Sequence, residues 1–238
     1  MFDCDKMIKR YPMNLSVTYL HHCSFIVETH EYQLVFDWIK GDIPETNKKR
    51  ICFITHSHID HFSRKVFNYD FDAWVVSSDI NQREDMKISI VDPNDTLHLL
   101  GIYVEVYGST DLGCSYLVKI GDLTLFYAGD LNNWHWKLES SSEEIKEMDD
   151  WYLSLIEPLR DKKVDVLFID IDPRLEVDYD LGASQLLELI HPSIVFPMHF
   201  TSDREAFKKY LESTQIDQLV PLIEEPSRFE FKLVKEYD

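Results

Sequence analysis

A mostly apolar run at residues 50–55 (RICFIT) leads directly into His56-Ser57-His58-Ile59-Asp60-His61, and no other stretch of the 238-residue chain constrains it as much. Imidazole and carboxylate are the side chains that borderline divalent metals take as ligands. Three histidines and an aspartate within six residues would be an odd way to build a solvated loop. The apolar run reads as a buried strand, so a rigid element presents the cluster at its end. In an extended stretch His56 and His58 point the same way, because side chains alternate with period two. A turn after His58 lets Asp60 and His61 face an adjacent point. Such a geometry can serve two metals, which lie about 3.5–4 Å apart in binuclear hydrolases.

The rest of the chain reads as strands with helices interspersed. Short β-branched or aromatic runs predict strands at 15–19, 24–29, 33–36, 74–77, 96–99, 102–107, 115–120, 123–128, 164–170 and 193–197, with a probable edge strand at 228–234. Helical spacing predicts helices at 141–159, 182–191 (stopped by Pro192) and 203–212, and a short one at 63–69 capped by Ser63. No linker, repeat or low-complexity tract interrupts residues 1–238, which implies one domain. The pattern implies a layered α/β body, equally compatible with one sheet or two stacked sheets.

Composition narrows the function. Lys and Arg number 24 against 43 Asp and Glu, a formal charge of −19. A body that negative repels phosphate backbones at long range, which argues against large nucleic acids as substrates. Small molecules stay open, because bound divalent cations can dominate a local potential. The four cysteines, Cys4, Cys23, Cys52 and Cys114, form no CxxC pair and read as free, mostly buried thiols in a reducing cytosol. Residues 1–10 carry Asp3, Asp5, Lys6, Lys9 and Arg10 without an apolar core, unlike a signal peptide. No apolar run approaches a membrane span. The expectation is a cytoplasmic protein that meets neither membrane nor large nucleic acid.

The HxHxDH pattern resembles the metallo-β-lactamase superfamily, in its branch of small metal-dependent hydrolases. Further segments carry the likeness in order: 17–25 (VTYLHHCSF) resembles the opening strand and its "GHSSF"-like turn, and 34–38 (LVFDW) an "ILIDP" strand end. Residues 126–130 (FYAGD) resemble the strand ending in a bridging aspartate, and 196–200 (FPMHF) the strand ending in the last histidine. The resemblance implies an α/β fold, a four-layer αββα sandwich with the site along one edge of its sheets. It implies His56 and His58 as ligands of a first metal, Asp60, His61 and His199 as ligands of a second, and Asp130 as the bridge. Gly129 ahead of Asp130 independently suggests close backbone approach.

One departure stands out. The family usually places another first-metal histidine near a Gly-Ser-like strand start, whereas residues 108–115 read GSTDLGCS. Asp111, a water or His135 would have to complete that site, or its metal binds weakly or not at all. The likeness also implies that Asp37 orients a ligand from behind, and that His22 faces the site or serves the fold. Trp134 and Trp136 either wall a substrate pocket or pack against the domain. Asp170 and Asp172 are either an acid–base pair on the rim or turn residues before Pro173.

The implied chemistry is hydrolysis of a small ester, lactone, amide or phosphodiester by a metal-bound hydroxide that Asp60 holds. Zinc is the default for a histidine-rich site, with manganese or iron open, at one or two ions per chain. The alternative is a non-catalytic metal-binding or ligand-sensing module of the same fold. The missing histidine supports that alternative, and retention of both Asp60 and Asp130 argues against it.

Overall fold

A computed structural model describes residues 11–80, 87–222 and 224–235. Cys4 and the charged segment 1–10 lie outside the described residues. The strands are β1 (Tyr11–His21), β2 (Ser24–Glu28), β3 (Tyr32–Phe36), β4 (Lys49–Ile54), β5 (Ala73–Ser77), β6 (Ile88–Val91), β7 (Thr96–Leu99), β8 (Ile102–Gly108), β9 (Cys114–Ile120), β10 (Leu123–Tyr127), β11 (Val166–Asp170), β12 (Ile194–Met198) and β13 (Ser227–Lys235). The helices are α1 (Ser142–Ile156), α2 (Leu181–Leu187) and α3 (Arg204–Leu211).

Two mixed sheets form, in the orders β13-β1-β2-β3-β4-β5-β6 and β12-β11-β10-β9-β8-β7. Period-two alternation explains why they stack. In the first sheet Phe25, Val27, Leu34, Phe36, Ile51, Phe53 and Val75 face a core shared with the second sheet. Their sequence neighbours Ile26, Val35, Cys52, Ile54, Trp74 and Val76 face the opposite side and join a separate apolar cluster. Burying each large side chain of this kind contributes about 1.5–3 kcal/mol. Phe36 lies between the layers, its ring 4.8 Å from Phe53 and 4.6 Å from Tyr127 of the second sheet. Helices α1, α2 and α3 add Tyr152, Ile156, Ala183, Leu186 and Phe207 to the shared core. The layered α/β body is therefore two stacked sheets.

The structure revises some element boundaries. The helix expected at 63–69 is a 3-10 helix, Arg64–Asn68, with Ser63 accepting the Lys65 N–H. Its Val66 and Phe67 cap the outer cluster of the first sheet, so among the described residues that layer contains no α-helix. The helix expected to reach 159 ends at Ile156 and tightens into a 3-10 turn containing Pro158, whose missing N–H cannot extend an α-helix. Strand β6 was not expected. It is short and half-exposed, so it lacks the apolar run that marks a buried strand. The C-terminal β13 lies at a sheet edge, as expected.

Strand direction places the site. In the first sheet β3, β4 and β5 run parallel, and in the second β10, β11 and β12 do. Asp37 follows β3, Thr55–His61 follow β4, Asp130 follows β10, Asp170 closes β11, and His199 follows β12. Ligand groups therefore gather at carboxyl ends of parallel strands, as α/β sheets generally arrange them. Gly113 permits the close approach of the β9 entry to this edge: its φ is +74°, and a Cβ there would sit 2.0 Å from the Thr55 carbonyl oxygen and 2.6 Å from His56 Cβ.

Candidate metal centre

The turn after β4 directs the histidines inward. Asp37, wholly buried, accepts the Thr55 N–H at 2.8 Å, the Thr55 hydroxyl at 2.6 Å and His61 Nδ1 at 2.8 Å. The Thr55 hydroxyl in turn lies 3.0 Å from His56 Nδ1. Both rings are thus held from behind through Nδ1, which leaves Nε2 facing inward. His199 is held similarly, its Nδ1 3.3 Å from Asp172 Oδ2, and His22 Nδ1 lies 2.5 Å from the Thr201 hydroxyl. Metal-binding histidines are typically anchored in this way through the far nitrogen.

The inward nitrogens converge on Asp130. Its Oδ1 is 2.8 Å from His61 Nε2 and 2.8 Å from His199 Nε2, and its Oδ2 is 3.3 Å from His56 Nε2. His61 Nε2 and His199 Nε2 are only 3.0 Å apart. His58 Nδ1 stands 4.0 Å from Asp130 Oδ2 and 3.6 Å from Asp111 Oδ2. His56 Nε2 and His22 Nε2 are buried without a hydrogen-bond partner, as are both carboxylate oxygens of Asp170. Asp170 shares a cluster of potential ligand atoms with Asp130 and His199.

So many acceptors at this density require a shared cation. Burial favours a neutral ring at His61, yet Cys23, Asp130 and Asp37 outweigh it and raise its pKa well above the ordinary histidine value. His199 shifts the same way against the same burial, through Cys23, Asp170 and Asp130. Burial would raise the Asp130 pKa, but His61, His199 and His56 hold it well below the usual carboxylate range. Burial drives the Asp170 carboxyl well above that range. Without metal, protons shared within the His61–His199 pair offset the surrounding carboxylates. Inward imidazole nitrogens around one carboxylate, with unpartnered atoms beside them, fit a divalent metal in the same place.

Three strained backbones serve this geometry: His22, Asp37 and His199 adopt φ of 49°, 41° and 60°. Such values are uncommon outside glycine and collect at functional sites. Gly129, at φ 57°, packs against Thr55 so closely that a Cβ would lie 2.9 Å from its side chain.

The structure brings His56, His58, His61, Asp130 and His199 together, with Asp37 behind them. Asp111 lies next to His58, its Oδ2 3.6 Å from His58 Nδ1. It does not bring in His135: Nδ1 there accepts the Lys137 N–H at 3.2 Å, and Nε2 lies 3.2 Å from the Asp178 carbonyl oxygen. One nitrogen is engaged within its own loop and the other by the segment before α2, so the structure does not turn His135 toward the cluster. Asp60 stands at the margin, with Oδ2 3.5 Å from His22 Nε2, and belongs to none of the clusters of ligand atoms. Trp134 borders the site, its ring 5.8 Å from His199 and its Nε1 donating to the Asp130 carbonyl at 3.0 Å. Trp136 stacks on Trp134 at 6.3 Å.

Two nearby residues escaped the sequence reading. Cys23 Sγ and ring nitrogens of His22, His61 and His199 lie within 4.8 Å of one another. Arg174 pairs with Asp172 through Nε at 2.8 Å, sets Nη2 3.1 Å from His199 Nδ1, and lies over Trp134 at 6.0 Å. An Asp-Pro-Arg order such as 172–174 would suit any turn, so only the fold exposes the contacts of Arg174. Burial would raise the Asp172 pKa, but His199 and Arg174 hold it at about 2.

Comparison with known proteins agrees with this architecture. The model of the beta-lactamase superfamily domain matches residues 16–150. A UPF0173 metal-dependent hydrolase of Nanoarchaeum equitans is 24% identical over 225 residues, covering 87% of this chain and 96% of its own. Another from Koribacter versatilis is 25% identical over 244 residues, with the same coverage of 87% and 96%. Among solved structures, Igni18, a metallo hydrolase from Ignicoccus hospitalis, superposes with a TM-score of 0.64 at 19% identity, covering 92% of this chain and 99% of that one. The metallo-beta-lactamase fold protein YhfI from Bacillus subtilis superposes with a TM-score of 0.57 at 13% identity, covering 92% and 99%. The α/β sandwich is thus of the metallo-β-lactamase type, and with a family match spanning both the HxHxDH turn and Asp130, the chain belongs to the beta-lactamase superfamily.

Proposed function

We propose that the chain is a metal-dependent hydrolase of small substrates carrying an ester, lactone, amide or phosphodiester bond. The observation that carries this reading is the convergence of His56, His61 and His199 Nε2 on one carboxylate, Asp130, each ring anchored from behind. His56, His58, Asp130 and Asp111 would hold a first ion, and His61, His199 and Asp130 a second. A bound divalent ion lowers the pKa of water from about 15.7 toward roughly 7 and polarises a carbonyl or phosphoryl oxygen. Zinc suits the imidazole nitrogens best, and the carboxylates leave manganese or iron open.

Asp60 would hold and orient the nucleophile. The neighbouring His22 ring comes first among the influences that hold its carboxyl well below the usual range, so it stays an anion and accepts hydrogen bonds. His22 Nε2 at 3.5 Å orients that carboxylate. Arg174, half-exposed beside His199 and Trp134, suits a substrate with an anionic group. The exposed Ile59 and Leu112 flank His58 and Asp111 and offer an apolar rim. A small amphipathic molecule fits these surroundings better than a polyanion does, given the chain's charge of −19. No helix among the described residues is long and apolar enough to cross a membrane, and we place the activity in the cytoplasm. The non-catalytic alternative drew its support from the absent histidine, and Asp111 at 3.6 Å from His58 weakens that support. Metal analysis of purified protein, joined to a screen of lactone, phosphodiester and β-lactam substrates, tests the reading. Absence of bound metal would overturn it.

The two ions are expected to differ in affinity. One set combines buried imidazoles with Asp130, whereas His58 and Asp111 are each 45% exposed, where water competes for ligand atoms. Calorimetric titration of metal-free protein should resolve one tight and one weaker equivalent. Two equally tight equivalents would contradict this assignment.

Metal uptake should also depend on pH with a definite sign. In metal-free protein the raised His61 and His199 hold protons that the ion must displace. Metal affinity therefore rises with pH. Because these folded-state values lie above the unfolded one of about 6.5, the protonated pairs stabilise metal-free protein fully below that pH. That stability is lost as pH rises through the folded values. The gap in Tm between metal-loaded and metal-free protein should widen as pH rises from about 6.5 into the alkaline range. Thermal melts across that range check this, and a narrowing gap would refute it.

A further inference from the structure

We infer that Cys23 supplies a thiolate ligand to the metal held by His61 and His199, which makes that site selective for thiophilic ions. This rests on the metal-dependent reading above. Cys23 is wholly buried in the tight turn between β1 and β2, where His22 takes up the left-handed φ of 49°. Its carbonyl oxygen accepts the Tyr127 hydroxyl, which ties the turn to the second sheet. The sulfur thus lies within 4.8 Å of ring nitrogens on His22, His61 and His199.

The other described cysteines have different surroundings. Cys52 sits in the apolar cluster on the outer face of the first sheet, and Cys114 Sγ faces the Thr55 carbonyl oxygen at 3.7 Å. Neither belongs to a cluster of ligand atoms. Around Cys23, by contrast, polar atoms lack partners. Wholly buried Asp170, which shares His199 with Asp130, has both oxygens unpartnered, and buried His22 Nε2 has only the distant Asp60 Oδ2, at 3.5 Å. These orphaned atoms point to a cation in the same space.

The arrangement also accounts for Asp60. The resemblance assigns Asp60 to the second metal, yet its carboxylate is turned to His22 outside every ligand cluster. A sulfur from the neighbouring turn fills the place. Coordination releases protons: those held among the Cys23 sulfur and the His61 and His199 rings pass to solvent as the sulfur and ring-nitrogen lone pairs bind the ion. A thiolate with imidazoles suits zinc or cobalt(II) in tetrahedral geometry and disfavours manganese and magnesium.

Cobalt(II) provides the test, since a thiolate ligand gives it a near-ultraviolet charge-transfer band that nitrogen and oxygen donors do not. Cobalt-loaded protein should show this band, and the triple variant Cys4→Ser/Cys52→Ala/Cys114→Ala should keep it. Cys23→Ser should lose it and bind zinc at least about 10-fold more weakly, the lower end of what even outer-shell changes cost. Should Cys23→Ser not fold, the wild-type and triple-variant spectra decide alone. Cobalt bound without the band, the band lost in the triple variant, or the band retained in Cys23→Ser would each overturn the proposal. Full cobalt uptake without the band leaves the hydrolase reading standing, whereas no uptake of any divalent metal removes both.

Discussion

Asp60→Asn is expected to lower turnover by about 10²–10⁴-fold, the usual contribution of a group acting on the attacking nucleophile, while metal content holds. The amide keeps nearly the same shape and an oxygen facing His22, but it lacks the charge that would hold and orient the hydroxide. Because Asp60 lies outside the clusters of ligand atoms, its loss should leave the metals in place. His199→Ala is the contrast. His199 Nε2 lies 2.8 Å from Asp130 Oδ1 and 3.0 Å from His61 Nε2, so its removal should drain metal and turnover together. Metal analysis and steady-state kinetics on a substrate found by the screen measure both. Turnover indifferent to Asp60→Asn, with metals bound, would move the chemistry elsewhere and favour the ligand-binding alternative.

The second large effect is expected behind the site, at Asp37. This wholly buried carboxylate accepts the Thr55 N–H, the Thr55 hydroxyl and His61 Nδ1 at 2.6–2.8 Å. Asp37→Ala leaves all three donors without their acceptor and His61 free to rotate. Breaking one side of a buried charged pair costs about 3–5 kcal/mol. In a chain of this size each kcal/mol lowers Tm by about 2–4 °C. Asp37→Asn separates stability from tuning: its oxygen still accepts the Thr55 N–H, but its NH2 faces the site where His61 donates. The ring must then present the wrong tautomer, so metal affinity should fall about 10–100-fold with a smaller loss of Tm. Melting curves and metal titration of both variants check this. Equal metal affinity in wild type and Asp37→Asn would show that Asp37 serves the fold alone.

What the sequence discloses and what it hides follow from chain distance. His56 to His61 are legible because a strand and one turn suffice to set them, and both are local. Asp130 and His199 are legible because each ends an apolar run with a recognisable strand pattern. The stacking of two sheets is legible only through the family resemblance, since a period-two pattern says which residues share a face and not what that face meets. Completion of the first site was hidden. The fold alone brings Asp111 beside His58 and ties the His135 ring to Lys137 and Asp178, and it is on those contacts that the proposed choice of Asp111 rests. Cys23 and Arg174 carry no local signal at all. A cysteine after a histidine and an arginine after Asp-Pro acquire meaning only when β1, β11 and β12 are brought to one edge.

The gathering of ligands at the ends of β4, β10 and β12 also sets an order of events in time. A growing chain exposes His56, His58 and His61 when Asp130 is still unmade, and His199 emerges later than either. At the first stage those histidines are a loose, flexible chelator that any passing metal can enter and leave. Only after β12 docks beside β11 do His199 and Asp130 close around His61. With the proposed ligands, tight retention of metal would begin as a late event in the life of each molecule, after its sheets have met. A chain cut or stalled before residue 199 should exchange its metal freely, and slow metal exchange becomes a readout of completed folding.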